Sequence, residues 1–210
     1  MMLIGQYDSP FVRRVGIALT IYGLAFEHAP WSTFGDADRI AKHNPLRRVP
    51  TLVMDDRTAY VESGAILTVI DDTVGSELAT LARRGEDGHA LLRIAGFAAG
   101  AADKGVSLLY ERVLREAQLP LWADRCRLQV GETLDLLEAE RQLRPTRYLF
   151  DDNLSHADVV LTTMWSFLSE ALVGEFEWSR WPALDAHAAA CEDLPAFRAV
   201  RQRFKGPGES

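Results

Sequence analysis

Within its first thirty residues the chain sets one helical segment between two short apolar runs, and that order leaves few ways to fold. Leu3-Ile4-Gly5-Gln6 and Phe26-Glu27-His28-Ala29 read as strands. Between them, Phe11 to Tyr22 places Val12, Val15, Ala18, Leu19 and Tyr22 at helical spacing, with Gly23 as a stop. A helical crossover between two strands of one sheet makes them parallel. Asp36 to His43 predicts a short second helix, ended by Asn44-Pro45. Thr51 to Met54 and Ala59 to Val61, joined by Asp55-Asp56-Arg57-Thr58, predict a hairpin. Ser63 opens a third helix carrying Ile66, Leu67 and Ile70, so the order is β-α-β-α-β-β-α.

Between Gly75 and Gly88 the periodicity weakens and charge scatters, which marks a junction. The expected organisation is an α/β domain over 1–76, a linker over 77–88, an all-α domain over 89–204 and a flexible tail over 205–210. Helices are predicted at about 89–117, 121–142, 156–172, 183–192 and 194–203, with Pro120, Pro145, Pro182 and Pro195 near the breaks. Ser155-His156-Ala157-Asp158 has the spacing of a capping box, with aspartate where glutamate is usual.

A net charge of −7 offers no basic excess for phosphate backbones or anionic membranes, so neither nucleic acid nor membrane is an expected partner. No long apolar run suggests a spanning helix, and the N-terminus lacks the pattern of a signal peptide. Cys126 and Cys191 are widely separated, without Cys-x-x-Cys spacing, which fits a reducing cytoplasm better than a disulfide framework. Histidines are few and unclustered, so no metal is expected.

Three stretches carry chemistry. Ser9 stands before Pro10, a favoured first-turn residue. As a plain cap, Ser9 accepts a backbone N–H. As a functional group, its hydroxyl and the positive end of the helix would favour the thiolate of a bound thiol. Tyr7 is a competing hydroxyl two residues earlier. Val49-Pro50 sits at the entrance to a strand; a cis bond there would turn the Val49 N–H and C=O toward a peptide ligand for strand-like pairing. Glu62-Ser63 precedes the third helix, where a helix start receives a carboxylate and Glu62 would face an ammonium. Arg48 offers a positive charge to a second carboxylate, with Lys42 or Arg47 as helpers.

Ser-Pro-Phe-Val-x-Arg, Asn-Pro-Leu-x-x-Val-Pro and Glu-Ser-x-Ala-Ile, in that order, resemble the glutathione transferase superfamily over nearly the whole chain, especially its bacterial, serine-type tau-like and zeta-like branches. The resemblance implies a thioredoxin-like N-terminal domain, an all-α second domain, a cytoplasmic homodimer and a detoxifying transferase with glutathione as co-substrate. It implies Ser9 as the thiolate-stabilising hydroxyl, Val49 as backbone partner of the cysteinyl unit, Pro50 as a cis proline, and Glu62 and Ser63 at the γ-glutamyl end. Arg47 departs from the glycine common in such loops, and Arg48 stands where lysine is frequent. A hydrophobic electrophile, or a peroxide, would then lie in a cleft lined by Phe11, Ser107, Leu108 and Tyr110. A non-catalytic carrier or an interaction module on the same fold are the rival readings. A dithiol exchanger lacks its cysteine pair.

Overall fold

Leu3 and Ile4 are completely buried, so the first strand is central. A computed structural model of the chain describes residues 1–206. The strands are β1 (Met2–Ile4), β2 (Glu27–Ala29), β3 (Thr51–Val53) and β4 (Ala59–Val61), in the order β2-β1-β3-β4. β1 pairs parallel with β2, Leu3 opposite His28, as the intervening helix requires. It pairs antiparallel with β3, Leu3 opposite Leu52, and β3 and β4 form a hairpin. Alternation sends Ile4 and Val53 to one face, where they pack with Ala29 and Ile40, and sends Leu3 and Leu52 to the other.

Helix α1 (Pro10–Ile21) starts on its proline and buries Val12, Val15, Ile17, Ala18 and Leu19. Each fully buried aliphatic side chain contributes roughly 1.5–3 kcal/mol, so this face anchors the helix. α2 (Ala37–Ala41) is a short turn holding Ile40 in the core. α3 (Ser63–Val74) packs on α1. The sequence thus yields the expected β-α-β-α-β-β-α order.

The remaining helices are α4 (Gly85–Val113), α5 (Pro120–Gln142), α6 (His156–Ala171), α7 (Pro182–Glu192) and α8 (Pro195–Ala199), with a 3-10 turn at Trp178–Arg180. The chain divides into two compact units, one of Met1–Ala82 with Leu194–Arg203, the other of Arg83–Asp193 continuing from Phe204. Residues 194–203 therefore belong with the α/β unit, although the sequence reads them as the end of the helical domain. The reason is chemical. Arg13 on α1 is buried, and its Nε and Nη2 donate to the carbonyls of Val200 and Phe197 at 3.2 Å each. Phe197 and Val200 are themselves buried. Residues 207–210 of the expected tail lie outside the described residues.

In the helical unit, α6 is buried on nearly every side, its apolar side chains interleaved with the buried polar residues Asp158, Thr162 and Thr163. It packs against α4 and α7. Gly105 permits the α4 approach, since a Cβ there would sit 2.1 Å from Leu168 Cδ2. The capping box at Ser155 and Asp158 is present. Asp158 accepts from the Ser155 amide at 2.8 Å, the Ser155 hydroxyl at 2.5 Å and the Leu149 amide at 2.8 Å.

His187 on α7 lies 3.4 Å from Asp158 and 3.7 Å from the Cys191 sulfur. Burial brings its pKa down to about 4, so the imidazole is neutral and the contact with Asp158 is no ion pair. The unfolded chain, with a histidine near 6.5, binds the extra proton first as pH falls. Stability is therefore fully present above 6.5 and declines toward 4. Wild type is expected to lose up to about 3 kcal/mol more than His187→Gln over that window, read from denaturant unfolding at a series of pH values.

Candidate functional site

Gly5, at the end of β1, has φ +129°. A Cβ there would meet Val12 Cγ2 at 2.5 Å and Val49 Cβ at 2.8 Å. Glycine is what lets the exit of β1, the first turn of α1 and the segment before β3 converge. Those three pieces carry Tyr7 to Ser9, Val12 and Val49-Pro50.

Ser9 is the N-cap of α1 in extended backbone, half-buried, with its Oγ accepting from the Val12 amide at a long 3.5 Å. The hydroxyl thus sits at the positive end of a 12-residue helix with only a weak internal partner. Tyr7 is elsewhere. Its ring stacks on His28 at 3.9 Å between centroids and 14° between planes. Its hydroxyl lies beside Gly16, 3.2 Å from where a Cβ would stand. Seven residues at 1.5 Å each put Gly16 about 10 Å along the axis from Ser9. Burial pushes the Tyr7 phenol up to about 12, so it stays protonated.

The Val49-Pro50 bond is cis. Among the described residues, neither the N–H nor the C=O of Val49 has a backbone partner. Asn44, read from the sequence as a helix stop within a motif, ties this segment: it is buried, and its Nδ2 donates to the Arg48 carbonyl and to Thr51 Oγ1, each at 3.0 Å. Arg47 is engaged with Asp38 at 2.5 Å and has φ 53°, whereas exposed Arg48 has no ion-pair partner among the described residues.

At the start of α3, Glu62 is the N-cap and Ser63 the first helical residue. Glu62 has φ 69°, and its Oε2 accepts from the Ala65 amide at 3.1 Å. The buried Ser63 hydroxyl donates to Glu62 Oε1 at 3.4 Å. Burial works to raise the Glu62 pKa, but the amides of Gly64 and Ala65, Arg14 and the Ser63 hydroxyl hold it below its ordinary value. Arg14 carried no assigned role in the sequence. Its Nη2 lies 3.8 Å from Glu62 Oε1, and its buried Nε has no hydrogen-bond partner among the described residues. Burial brings the guanidinium down to about 10, with Glu62 opposing, so it remains a cation at neutral pH. The signal available was a pair of adjacent arginines inside an otherwise apolar helix face.

Phe11, half-buried on α1, belongs to the α/β unit; Ser107 and Tyr110 belong to the helical one. The Ser107 hydroxyl donates to the Asp103 carbonyl of its own helix at 3.0 Å, Leu108 is completely buried, and Tyr110 is exposed. The buried Cys191, His187 and Asp158 have the residue types of a nucleophilic triad, but burial pushes the thiol up to about 12 and keeps the imidazole neutral. That cluster is structural. No group of three His, Cys, Asp or Glu side chains able to hold a metal is found among the described residues, and no helix among them is long and apolar enough to cross a membrane.

A glutathione S-transferase N-terminal domain model matches residues 3–77, and a C-terminal domain model of the same family matches 120–190. An uncharacterised GST-like protein of Escherichia coli, YibF, is 30% identical over 167 residues, spanning 78% of this chain and 77% of that one. The chain belongs to the glutathione S-transferase superfamily. Among solved transferases, one from Methylobacterium radiotolerans in complex with glutathione sulfonate superimposes with a TM-score of 0.86 at 26% identity, covering 97% of each chain. A glutathione transferase family member from Pseudomonas fluorescens Pf-5 with bound glutathione gives 0.79 at 25% identity, covering 97% of this chain and 99% of that one. The thioredoxin-like first domain and the all-α second domain are those of the superfamily.

Proposed function

We propose that this superfamily member is a glutathione transferase in which Ser9 stabilises the thiolate of bound glutathione. The observation that carries the reading is the position of Ser9 at the start of α1, while the alternative hydroxyl of Tyr7 lies beside Gly16, further along the helix. A free thiol with a pKa of about 8.5 is a few per cent ionised at neutral pH. A hydroxyl donor and the helix terminus lower that value; two units, about 2.7 kcal/mol, make most of the thiol reactive. The thiol proton leaves to solvent. The sulfur then forms a bond to an electrophilic carbon, whose leaving group departs with the bonding pair, or to one oxygen of a peroxide, whose other oxygen departs with the O–O pair and takes a proton from solvent, leaving the sulfenic acid.

The rest of the chain's task is to hold the tripeptide still. The unpaired N–H and C=O of Val49, beside cis Pro50, suit the backbone of the cysteinyl unit. The start of α3 suits the γ-glutamyl carboxylate through the Ser63 amide, one of the first-turn donors without a helical partner. Glu62, kept ionised by Arg14 and the Gly64 and Ala65 amides, suits the ammonium. Arg48 suits the glycyl carboxylate. Phe11, Ser107 and Tyr110 remain proposed contacts of a hydrophobic co-substrate. A homodimer in the cytoplasm is part of the same reading.

Titration of glutathione into the purified protein, followed by calorimetry and by ultraviolet thiolate absorbance, tests it. Binding with a depressed thiol pKa is expected. Binding with an unshifted pKa makes the protein a carrier, and no binding makes it an interaction module. Glu62→Gln is expected to raise the KM for glutathione about tenfold with kcat nearly unchanged, the signature of a contact made equally in ground and transition states. Arg14→Gln should follow it in the same direction, since it leaves the carboxylate without its counter-charge.

A further inference from the structure

The geometry points to Gln202 as a positioning residue for Ser9, acting through the loop that leads into α1; this rests on the reading of Ser9 given above. Between β1 and α1, Gly5 is tied to the neighbouring strand and Ser9 to the loop itself. The Gly5 amide donates to the Ala29 carbonyl at 2.9 Å, and the Gly5 carbonyl meets His28 Nε2 at 2.8 Å. The Ser9 amide donates to the Gln6 carbonyl at 3.2 Å. The Tyr7 amide reaches much farther along the chain, donating to Gln202 Oε1 at 3.0 Å across 195 residues of sequence.

Two attachments from the 194–203 segment therefore straddle Ser9, at Tyr7 just before it and at Arg13 one helical turn after it. Arg13 grips the carbonyls of Phe197 and Val200, which fixes the chain immediately before Gln202. The Tyr7 ring is already fixed by its stack on His28 and its seat on Gly16. Its amide sets how the peptide plane of the loop is turned, and so where the Ser9 hydroxyl points. A donor acting on a developing charge must be held in place before the reaction, and a displacement of about 1 Å can cost about a hundredfold. The site on α1 thus depends on a side chain from the last ten described residues.

The acceptor role is separable from mere packing. Gln202→Leu keeps volume and removes the acceptor; Gln202→Glu keeps the acceptor and removes the amide donor. In the full-length protein, the thiol pKa of bound glutathione is read by ultraviolet titration alongside steady-state kinetics and the thermal midpoint. Gln202→Leu is expected to raise the bound-thiol pKa by about one unit and lower kcat about tenfold, with the KM for glutathione little changed. Gln202→Glu is expected to restore both to within about twofold of wild type. A Gln202→Leu protein that melts earlier but titrates like wild type overturns the inference, and so does a glutamate variant no better than leucine. Should wild type itself leave the thiol at its free value, the reading of Ser9 falls and takes this inference with it.

Discussion

Replacing Ser9 by alanine is expected to lower kcat/KM by two to three orders of magnitude while leaving the fold almost untouched. The size follows from losing one preorganised donor at a developing charge. The small stability cost follows from the cap itself. At 3.5 Å the bond from the Val12 amide is long, so its loss costs about 0.5–1 kcal/mol. Kinetics with an activated aryl halide, together with the pKa of the bound thiol, check the expectation. That pKa should climb toward about 8.5 in the variant. Ser9→Thr, which keeps the hydroxyl, should recover much of the rate. A fully active alanine variant, paired with an inactive Tyr7→Phe, would reassign the chemistry to Tyr7.

The second large effect is on folding. Asp158 is completely inaccessible to solvent and accepts three hydrogen bonds, from the amide and hydroxyl of Ser155 and from the Leu149 amide. Asp158→Ala leaves all three donors buried without a partner, each costing about 1–3 kcal/mol. A net loss of about 4 kcal/mol is expected, a large share of the roughly 5–15 kcal/mol that holds a domain folded. Asp158→Asn, which retains one carbonyl acceptor, should lose about half as much. Denaturant unfolding followed by circular dichroism gives the number. A loss under about 1 kcal/mol would mean that water replaces the carboxylate in the core.

Local chemistry was legible in the sequence. The crossover helix, the hairpin and the third helix follow from apolar spacing and turn residues, and prolines at the starts of α1, α5, α7 and α8 mark those helices. The capping box could be read because its partners lie three residues apart. What lay beyond reach depends on pairs far apart in the chain. Arg13 and Val200 are 187 residues apart, and nothing local says that a buried arginine will find a carbonyl there. The stack that carries the Tyr7 hydroxyl away from the helix start needs His28 on the neighbouring strand. The role of Glu62 as cap depends on a left-handed backbone at φ 69°, which neither helix propensity nor motif spacing predicts for a glutamate. Arg14 was visible as an oddity, and only its 3.8 Å approach to Glu62 gives it a purpose.

The Arg13 contact bears on how the polypeptide matures. During synthesis the first 82 residues emerge long before Phe197 and Val200, so the nascent α/β unit must wait with a cationic side chain lacking its carbonyls and an apolar flank uncovered. Completion comes only once Phe197 and Val200 have been made. A fragment cut after residue 82 would keep that defect permanently, and a premature stop before residue 197 would damage a unit made more than a hundred residues earlier.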